Sequence, residues 1–419
     1  MLTPDEGYLD RRIAQEAGSL ARRGWRVDIF SAVDPNLAYD DELPAGVSLL
    51  ATPIPPRPAS RRRSALRRVR RLLVRRVPAA GRLLETLQYR RRDIAGEITE
   101  AALKPLIRME PADLVVAHDV PVMPLAGRLK AAWGARLISD LHEVFPEQDE
   151  HFTSGTARAY WRTLEGAGLA VSDGIICVNA AVAEYVGATH DPAAPVVVVH
   201  NSVPYVEPST SGPTLRSIYP IPDGARIMLF AGSLRPHTGL EVLIEGFGRA
   251  GLDGWALAIL GDGALRAALE ALVRRRGLAG RVFLGQRVRQ RDLIRVAASA
   301  DVGLLPYQAV GFNHLIATPN KLFEYIQARL PIATSRLPMV ERIVDAHGNG
   351  AYLDFSAPAK LAVDLAAFVR ATLESIPPAA LESAAREFSW ENEEVGFLRL
   401  VDQVMAGRRG VPASRSAPG

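Results

Sequence analysis

Thr318-Pro-Asn-Lys-Leu-Phe-Glu-Tyr-Ile-Gln-Ala-Arg-Leu-Pro-Ile-Ala-Thr-Ser335 reads as a helix that turns directly into a strand. Thr318 suits an N-cap and Pro319 the first helical position. A helix start offers unpaired N–H groups and a positive dipole end, which together suit a diphosphate. Lys321 and Glu324 are three apart and share a face. An ammonium can pair with phosphate, and a carboxylate can accept both hydroxyls of a ribose. The bland alternative is a capped surface helix carrying an exposed ion pair.

Outward from this segment, short β-branched runs alternate with helical stretches, the pattern of parallel sheets covered on both faces. Strands are expected at Ile227–Phe230, Ala256–Leu260, Val282–Leu284, Val302–Leu305 and Ile332–Thr334. A second set lies at Val27–Ser31, Val47–Ala51, Leu114–His118, Arg136–Leu141, Gly174–Val178 and Val196–His200, with helices such as Asp10–Arg23 and Leu125–Trp133 between. Residues 203–222, rich in Pro, Ser and Thr, read as a linker. The expected organisation is an α/β domain over 1–202 carrying an Arg-rich insertion at 57–92, then that linker and a second α/β domain over 223–388. A helix over 389–406 and a disordered tail over 407–419 complete it. Two such domains imply a cleft for a ligand. Only Met1–Pro4 precede what looks like the first strand-to-helix loop, so the first strand is either truncated or very short.

Composition narrows the class. Hydrophobic residues make up 48% of the 419 and charged residues 23%, enough for sizeable cores. No apolar run approaches the ~20 residues a membrane span needs, and the first residues lack a secretory signal's apolar core. Cys177 is the single cysteine, which suits a reducing cytoplasm. Between Arg57 and Arg92 stand 14 Arg, no Lys and one acid, Glu85, so this stretch carries +13 of a chain whose formal total is +4. The remainder is mildly acidic. That favours local contact with an anionic surface over nucleic-acid binding by the whole fold. Within the stretch, Leu66, Val69, Leu72, Leu73 and Val77 share one helical face, as on a helix lying on an anionic membrane or on one packed against its own sheet with a solvated basic face.

The quoted segment, following "ASADVGLLPY", resembles the nucleotide-binding part of GT-B glycosyltransferases of family 4, a group 1 family. "IMLFAGSL…GLEVLIEGF", "LAILGDGALRAALE" and "RVFLGQRVRQRDL" precede it in that family's order. "SDGIICVNAAVAEYV" and "VVVVHNSV" resemble the end of its first domain, "DLVVAHDVPVMPLAG" and "LISDLHEVFPE" its acceptor-side loops, and "REFSWENE" the approach to its final helix. The similarity spans nearly the whole chain. It implies a GT-B fold, two Rossmann-like domains facing across a cleft, and transfer of a sugar from a nucleotide-diphosphate donor with retention of configuration. It implies no cofactor and no metal, with the nucleotide sugar as substrate. The acceptor is not specified; a lipid-linked or polysaccharide acceptor handled in the cytoplasm, at the inner face of the membrane, is the expectation.

By the resemblance, Glu324 is the ribose-binding second Glu of a Glu-x7-Glu motif. The first would fall at Ile316, where Asn313 or His314 are candidate replacements. The family's phosphate cations fall on Ser233 and Thr238, so Arg235, in the loop that follows Gly232, and Lys321 are the remaining cations, with backbone amides near Asn320. A helix-ending Gly is replaced by Arg329; a positive φ there costs about 1 kcal/mol relative to Gly. His118, at a strand end, matches the active-site histidine that touches the donor sugar, although a lone histidine there is often structural. Gly7 matches a loop that approaches the diphosphate.

Two further groups stand out from the residues themselves. In "SDLHE", alternation sends Asp140 and His142 to one face and Glu143 to the other. The group suits acceptor binding or loop stabilisation better than a metal. Gly261 and Gly263 flank Asp262 in a strand-to-helix turn that is not a full G-x-G-x-x-G fingerprint, because Arg266 holds the third glycine position. They either form a tight turn or line a nucleotide pocket. Two other functional classes stay open on this architecture, a nucleotide-sugar epimerase and a sugar-nucleotide-binding or scaffold protein without turnover.

Overall fold

The computed structural model describes residues 1–5, 8–34, 37–39, 41–50, 78–148, 154–208 and 211–407. Gly7, the apolar stripe from Leu66 to Val77 and the tail beyond 407 lie outside the described residues. The chain divides into two compact units, Met1–Val199 with Glu394–Gly419, and His200–Glu393.

The first unit holds β1 (Leu2–Thr3), β2 (Val27–Ser31), β3 (Val47–Leu50), β4 (Leu114–His118), β5 (Arg136–Leu141), β6 (Gly174–Cys177) and β7 (Val196–Val198). They form one sheet in the order β3-β2-β1-β4-β5-β6-β7, every pair parallel. The first strand is very short, yet Leu2 sits opposite both Phe30 of β2 and Ala117 of β4. Strand order reverses between β1 and β4, and a doubly wound sheet opens a crevice at the carboxyl ends of such a pair. The helix Arg11–Arg22 starts where Asp10 caps it, accepting from the Arg12 amide at 2.8 Å, and buries Ile13, Ala14, Ala17 and Leu20. A cavity of about 500 Å³ lies at the opposite, amino end of the strands, lined by Met1, Asp28, Leu114, Trp25 and Trp133 among others. It contains none of the candidate site residues.

The last helix, Trp390–Ala406, belongs to the first unit from Glu394 onward. Leu400 and Val404 press on Gly174 so closely that a Cβ there would lie 3.0 and 2.9 Å from their side chains. Arg23 pairs with Asp402 at 2.8 Å, and Glu394 accepts from Ser19 Oγ at 2.6 Å.

The second unit holds β8 (Arg226–Ala231), β9 (Trp255–Leu260), β10 (Val282–Gly285), β11 (Val302–Leu305), β12 (Ile332–Thr334) and β13 (Gly350–Tyr352), in the parallel order β10-β9-β8-β11-β12-β13. Alternation along β8 explains why both faces are covered. Ile227, Leu229 and Ala231 enter one core, while Met228 and Phe230 enter the other. The final strand, β13, and the helix Pro338–His347 before it were not among the elements expected from pattern.

Three expectations need correction. Residues 203–222 are not a free linker: Thr214 and Ser217 form a capping box on the short helix Leu215–Ile218, and Leu215, Tyr219 and Ile221 are buried in the second unit's core. Apolar residues spaced among prolines anchored the segment that composition alone made look loose. The helix after β11 is Asn320–Gln327, with Pro319 as N-cap, so Thr318 lies one residue outside the cap position and is itself buried. The strand ends of β6 and β7 fall one and two residues short of expectation, within the usual fraying, and the expected end of β3, Ala51, lies outside the described residues.

Arg329 follows that helix with φ +54°. Its side chain offsets the conformational cost: Nε pairs with Glu382 at 3.0 Å, and the guanidinium lies 4.7 Å over the Tyr205 ring. Arg329→Ala keeps the left-handed strain and loses the clamp, so it should be less stable than Arg329→Gly by about 1 kcal/mol. Urea unfolding midpoints of the two variants check this; equal midpoints would mean that the backbone relaxes.

Candidate functional site

Each unit gathers polar side chains at the carboxyl edge of its sheet. In the first, His118 ends β4 and is the register partner of Asp140 on β5, so both project to one face. His142, two residues on, joins them. Asp140 Oδ2 accepts from His118 Nδ1 at 3.1 Å and from His142 Nε2 at 3.0 Å; the two nitrogens are 3.3 Å apart. Arg12, from the helix Arg11–Arg22, clasps the same carboxylate, Nε to Oδ2 at 2.9 Å and Nη2 to Oδ1 at 2.8 Å. The guanidinium also donates to Glu16 at 3.1 Å and to the Val199 carbonyl at 2.6 Å. Asp119, held at φ +63°, accepts from the His142 amide at 3.0 Å.

Electrostatics divides these groups. Burial would raise Asp140, but Arg12 and then His142 hold its carboxyl well below the usual range, so it is ionised. An ionised oxygen only accepts, which places the protons on His118 Nδ1 and His142 Nε2. Burial pushes His118 down to about 4 despite its bond to Asp140, so its ring is neutral and Nε2 keeps a lone pair. That Nε2 is buried without a hydrogen-bond partner. Burial also acts to lower His142, yet Asp119 and Asp140 outweigh it and raise the ring to about 10. Burial, reinforced by Asp140, raises Glu16 well above its ordinary value.

The two imidazoles are therefore not equivalent. His118 is 0% exposed, whereas the His142 side chain keeps 14% of its surface. The residue matched to the sugar-touching histidine sits behind the one that presents surface. Among the described residues, His118, Asp140 and His142 are also a set whose ligand atoms fall within 4.8 Å of one another. A guanidinium already on both Asp140 oxygens, and N–H groups directed at the shared oxygen, suit a hydrogen-bonded network rather than a cation. Glu143 accepts from Gln148, and its charge acts on Asp119.

In the second unit the order reverses between β8 and β11, and the loops after β8, β9 and β11 meet there. Glycine makes the contact possible. A Cβ on Gly261 would lie 1.8 Å from the Gly232 carbonyl oxygen, one on Gly263 2.4 Å from that of Leu234, and one on Gly239 2.1 Å from that of Pro306. Arg266, standing where a fingerprint glycine would, donates to the Gly285 carbonyl at 2.7 Å and to Asp262 at 3.0 Å. Gly261 and Gly263 thus serve close loop packing. Above them, Asn320–Gln327 opens at Pro319, whose side chain supplies no cap. Glu324 is 2% exposed and pairs through Oε2 with Lys321 Nζ at 2.8 Å. Lys321 is thus engaged by Glu324 rather than standing free for phosphate. Asn320 accepts from Asn201 at 2.8 Å. Arg235 is exposed, and the Tyr307 phenol, pushed up to about 12 by burial, feels the Glu324 carboxylate and the Arg235 guanidinium together.

The helix is fixed by what lies under it. Tyr325 Oη accepts from the Ala231 amide at 2.8 Å, and its ring fills the space beside Gly303, where a Cβ would lie 2.5 Å from it. Gln327 Nε2 donates to Ala385 and Phe388 carbonyls at 2.6 and 3.2 Å. Ile316, at the first position of the Glu-x7-Glu spacing, is buried, and Asn313 and His314 lie on the short helix Phe312–Leu315. Pattern reasoning missed Arg12, Glu16, Asp119 and Tyr307. The first two were detectable as an i, i+4 pair on an otherwise apolar helix face.

The His142 shift has a consequence for stability. An unfolded histidine titrates near about 6.5, and the folded ring is raised to about 10. Its contribution is therefore fully present below the unfolded value and is lost as pH rises through the folded one. The Tm advantage of wild type over His142→Gln should shrink steadily between about pH 6.5 and 10. A constant difference across that range would mean His142 is not charged. Asp119, pushed up to about 7 by burial, titrates in the same window, so the difference between the two proteins is the readout.

The comparisons follow the two-unit division. The glycosyl transferase 4-like domain family matches residues 9–202, and the glycosyl transferases group 1 family matches residues 212–387. No curated protein matches the sequence. Among solved structures, the chain is similar to a sucrose-phosphate synthase from Thermosynechococcus elongatus, with 18% identity, TM-score 0.66 and 96% of each chain covered. It is similar to Anabaena HepE solved with UDP-glucose, with 14% identity, TM-score 0.62 and 98% of each chain covered. A glycosyltransferase from Rickettsia africae matches at 12% identity and TM-score 0.60, with 93% of each chain covered. With two parallel sheets of Rossmann type and family matches across both units, the chain is a GT-B member of the group 1 glycosyltransferases.

Proposed function

We propose that this glycosyltransferase takes its sugar from a nucleoside-diphosphate donor and transfers it with retention of configuration, without a resident metal or cofactor. The observation that carries the reading is the helix start at Asn320, preceded by Pro319, at the reversal of strand order, with Lys321, Glu324 and Arg235 around it. A diphosphate placed there meets backbone amides, the helix dipole and two cations. Glu324 accepts from the ribose, which frees Lys321 to turn to phosphate. Negative charge gathering on the leaving diphosphate is stabilised by donors already in place. Front-side attack assisted by that leaving group needs no covalent nucleophile. The Anabaena HepE structures obtained with UDP and with UDP-glucose support a nucleotide sugar as the substrate class.

On the sugar side, His142 takes the role that the resemblance placed on His118, because it presents surface and carries a proton that it can donate to a hydroxyl. His118 supports it from behind. A lipid-linked or polysaccharide acceptor at the cytoplasmic face of a membrane suits the Arg-rich stretch. The helix Pro78–Arg91 leaves Leu83, Leu84 and Leu87 exposed, while Glu85 on its other side is buried and accepts from the Ser154 amide at 2.8 Å. Apolar residues beside arginines are what an anionic membrane surface takes up. Among the described residues no helix is long and apolar enough to cross a membrane.

Glu324→Ala should weaken UDP or GDP binding by about 1–3 kcal/mol, the worth of charged hydrogen bonds lost, with the fold intact; an unchanged calorimetric affinity for every nucleotide that the wild type binds would remove Glu324 from the site. His142→Ala should lower kcat by a factor of about 10² or more while the diphosphate Kd stays the same. A His142→Ala enzyme with wild-type turnover would return the sugar-facing role to another residue. For the membrane contact, co-sedimentation with vesicles of anionic lipid should fall with added salt and on changing Leu83, Leu84 and Leu87 to Ser. Sedimentation indifferent to both would retire that contact.

A further inference from the structure

Arg12 is a buried guanidinium that the glycosyl-transfer reading leaves without a task. It is 2% exposed, yet it holds the carboxylate that both imidazoles share. Its fork fits the Asp140 carboxylate edge-on, Nε to Oδ2 at 2.9 Å and Nη2 to Oδ1 at 2.8 Å, which fixes the plane of that carboxylate. Fixing the plane aims Oδ2, and Oδ2 is the one atom to which both imidazoles donate, at 3.1 and 3.0 Å. A carboxylate free to rotate would serve one ring or the other. Glu16 and the Val199 carbonyl hold the rest of the guanidinium, at 3.1 and 2.6 Å, so it cannot swing away.

We propose that Arg12 is a positioning residue for the donor-sugar side of the site: acting through Asp140, it fixes the orientation of His142 and the tautomer of His118. This rests on the reading of His142 as the sugar-facing group. The charged and titratable neighbours of the pair include Arg12 and Glu16 from the first helix, Asp5 and the Met1 amino group beside β1, Asp119 after β4, and Asp140 on β5. Arg12 alone makes two hydrogen bonds to the shared carboxylate. Lysine in its place would restore charge but not the fork, so geometry and charge can be separated.

The test uses the full chain with ¹⁵N-labelled histidine, comparing wild type with Arg12→Lys and Arg12→Gln. In the wild type His118 should show a single neutral form, Nδ1–H, and His142 a doubly protonated ring whose Nε2–H is hydrogen-bonded. Both variants should show mixed tautomers at His118 and a displaced Nε2–H signal at His142, and where donor turnover is measured, a kcat lower by about tenfold or more with the donor KM changed far less. Folded variants whose ring signals match wild type overturn the proposal, whatever happens to kcat. So does full recovery of the wild-type ring signals in Arg12→Lys, which would make the role one of charge alone. If the Arg12 variants do not fold, Asp140→Asn, nearly isosteric, cuts the same link from the other end and must produce the same mixing; unchanged rings there overturn the proposal equally. The ring signals require no substrate, so they decide the role of Arg12 even if no sugar transfer is found. Absent transfer with mixed tautomers would count against the catalytic reading and not against the positioning one.

Discussion

Parallel pairing of all the strands is the constraint on which the remaining features depend. A parallel sheet brings all its strand-to-helix loops to one edge, and reversal of strand order separates two of those loops into a crevice. Both units obey it. In the first, the reversal lies between β1 and β4, and the residues beyond it are His118 and Asp119. In the second it lies between β8 and β11, and the residues beyond it are Gly232–Gly239 and the segment leading to Asn320. Residues remote in sequence meet there because sheet topology leaves their loops no other place.

The units stabilise their edges by different means. The first does so with buried charge. Arg12 and Asp140 are almost wholly removed from water, a state that is tolerable only because each satisfies the other through two hydrogen bonds. Removing one partner alone would strand a buried ion, so the network is an all-or-none feature of the unit. The second uses close backbone approach. Carbonyl oxygens of Gly232, Leu234 and Pro306 occupy the places where side chains on Gly261, Gly263 and Gly239 would begin. Tyr325 then ties the helix beneath Glu324 to the middle of the sheet through the Ala231 amide.

Departures from the family pattern find physical counterparts. The buried Ile316 belongs to the packing of its loop, so the polar residues of that segment are the neighbouring Asn313 and His314 on their short helix. Thr238, at a position where a cation is usual, turns its hydroxyl inward to the Arg235 carbonyl at 2.6 Å, and Arg235 is the residue left exposed. Arg329 replaces a glycine at φ +54° and is held by Glu382 and Tyr205.

Sequence by itself determined the class of the fold, because alternation with period two and the caps between strands are local properties written in neighbouring residues. Leu114–His118, Arg136–Leu141, Val302–Leu305 and Ile332–Thr334 stand where pattern put them. It also determined that Asp140 and His142 share a face, which is a consequence of pleating alone. It did not determine that Arg12, 128 residues before Asp140, would be that carboxylate's partner, nor which of two histidines keeps surface. Burial lowers both imidazoles, and only at His142 do Asp119 and Asp140 outweigh it; burial and neighbouring charge alike are set by what the fold packs against a side chain. Linear spacing carries no record of that packing, so the tertiary structure alone assigned the charges, the tautomers and the exposed ring.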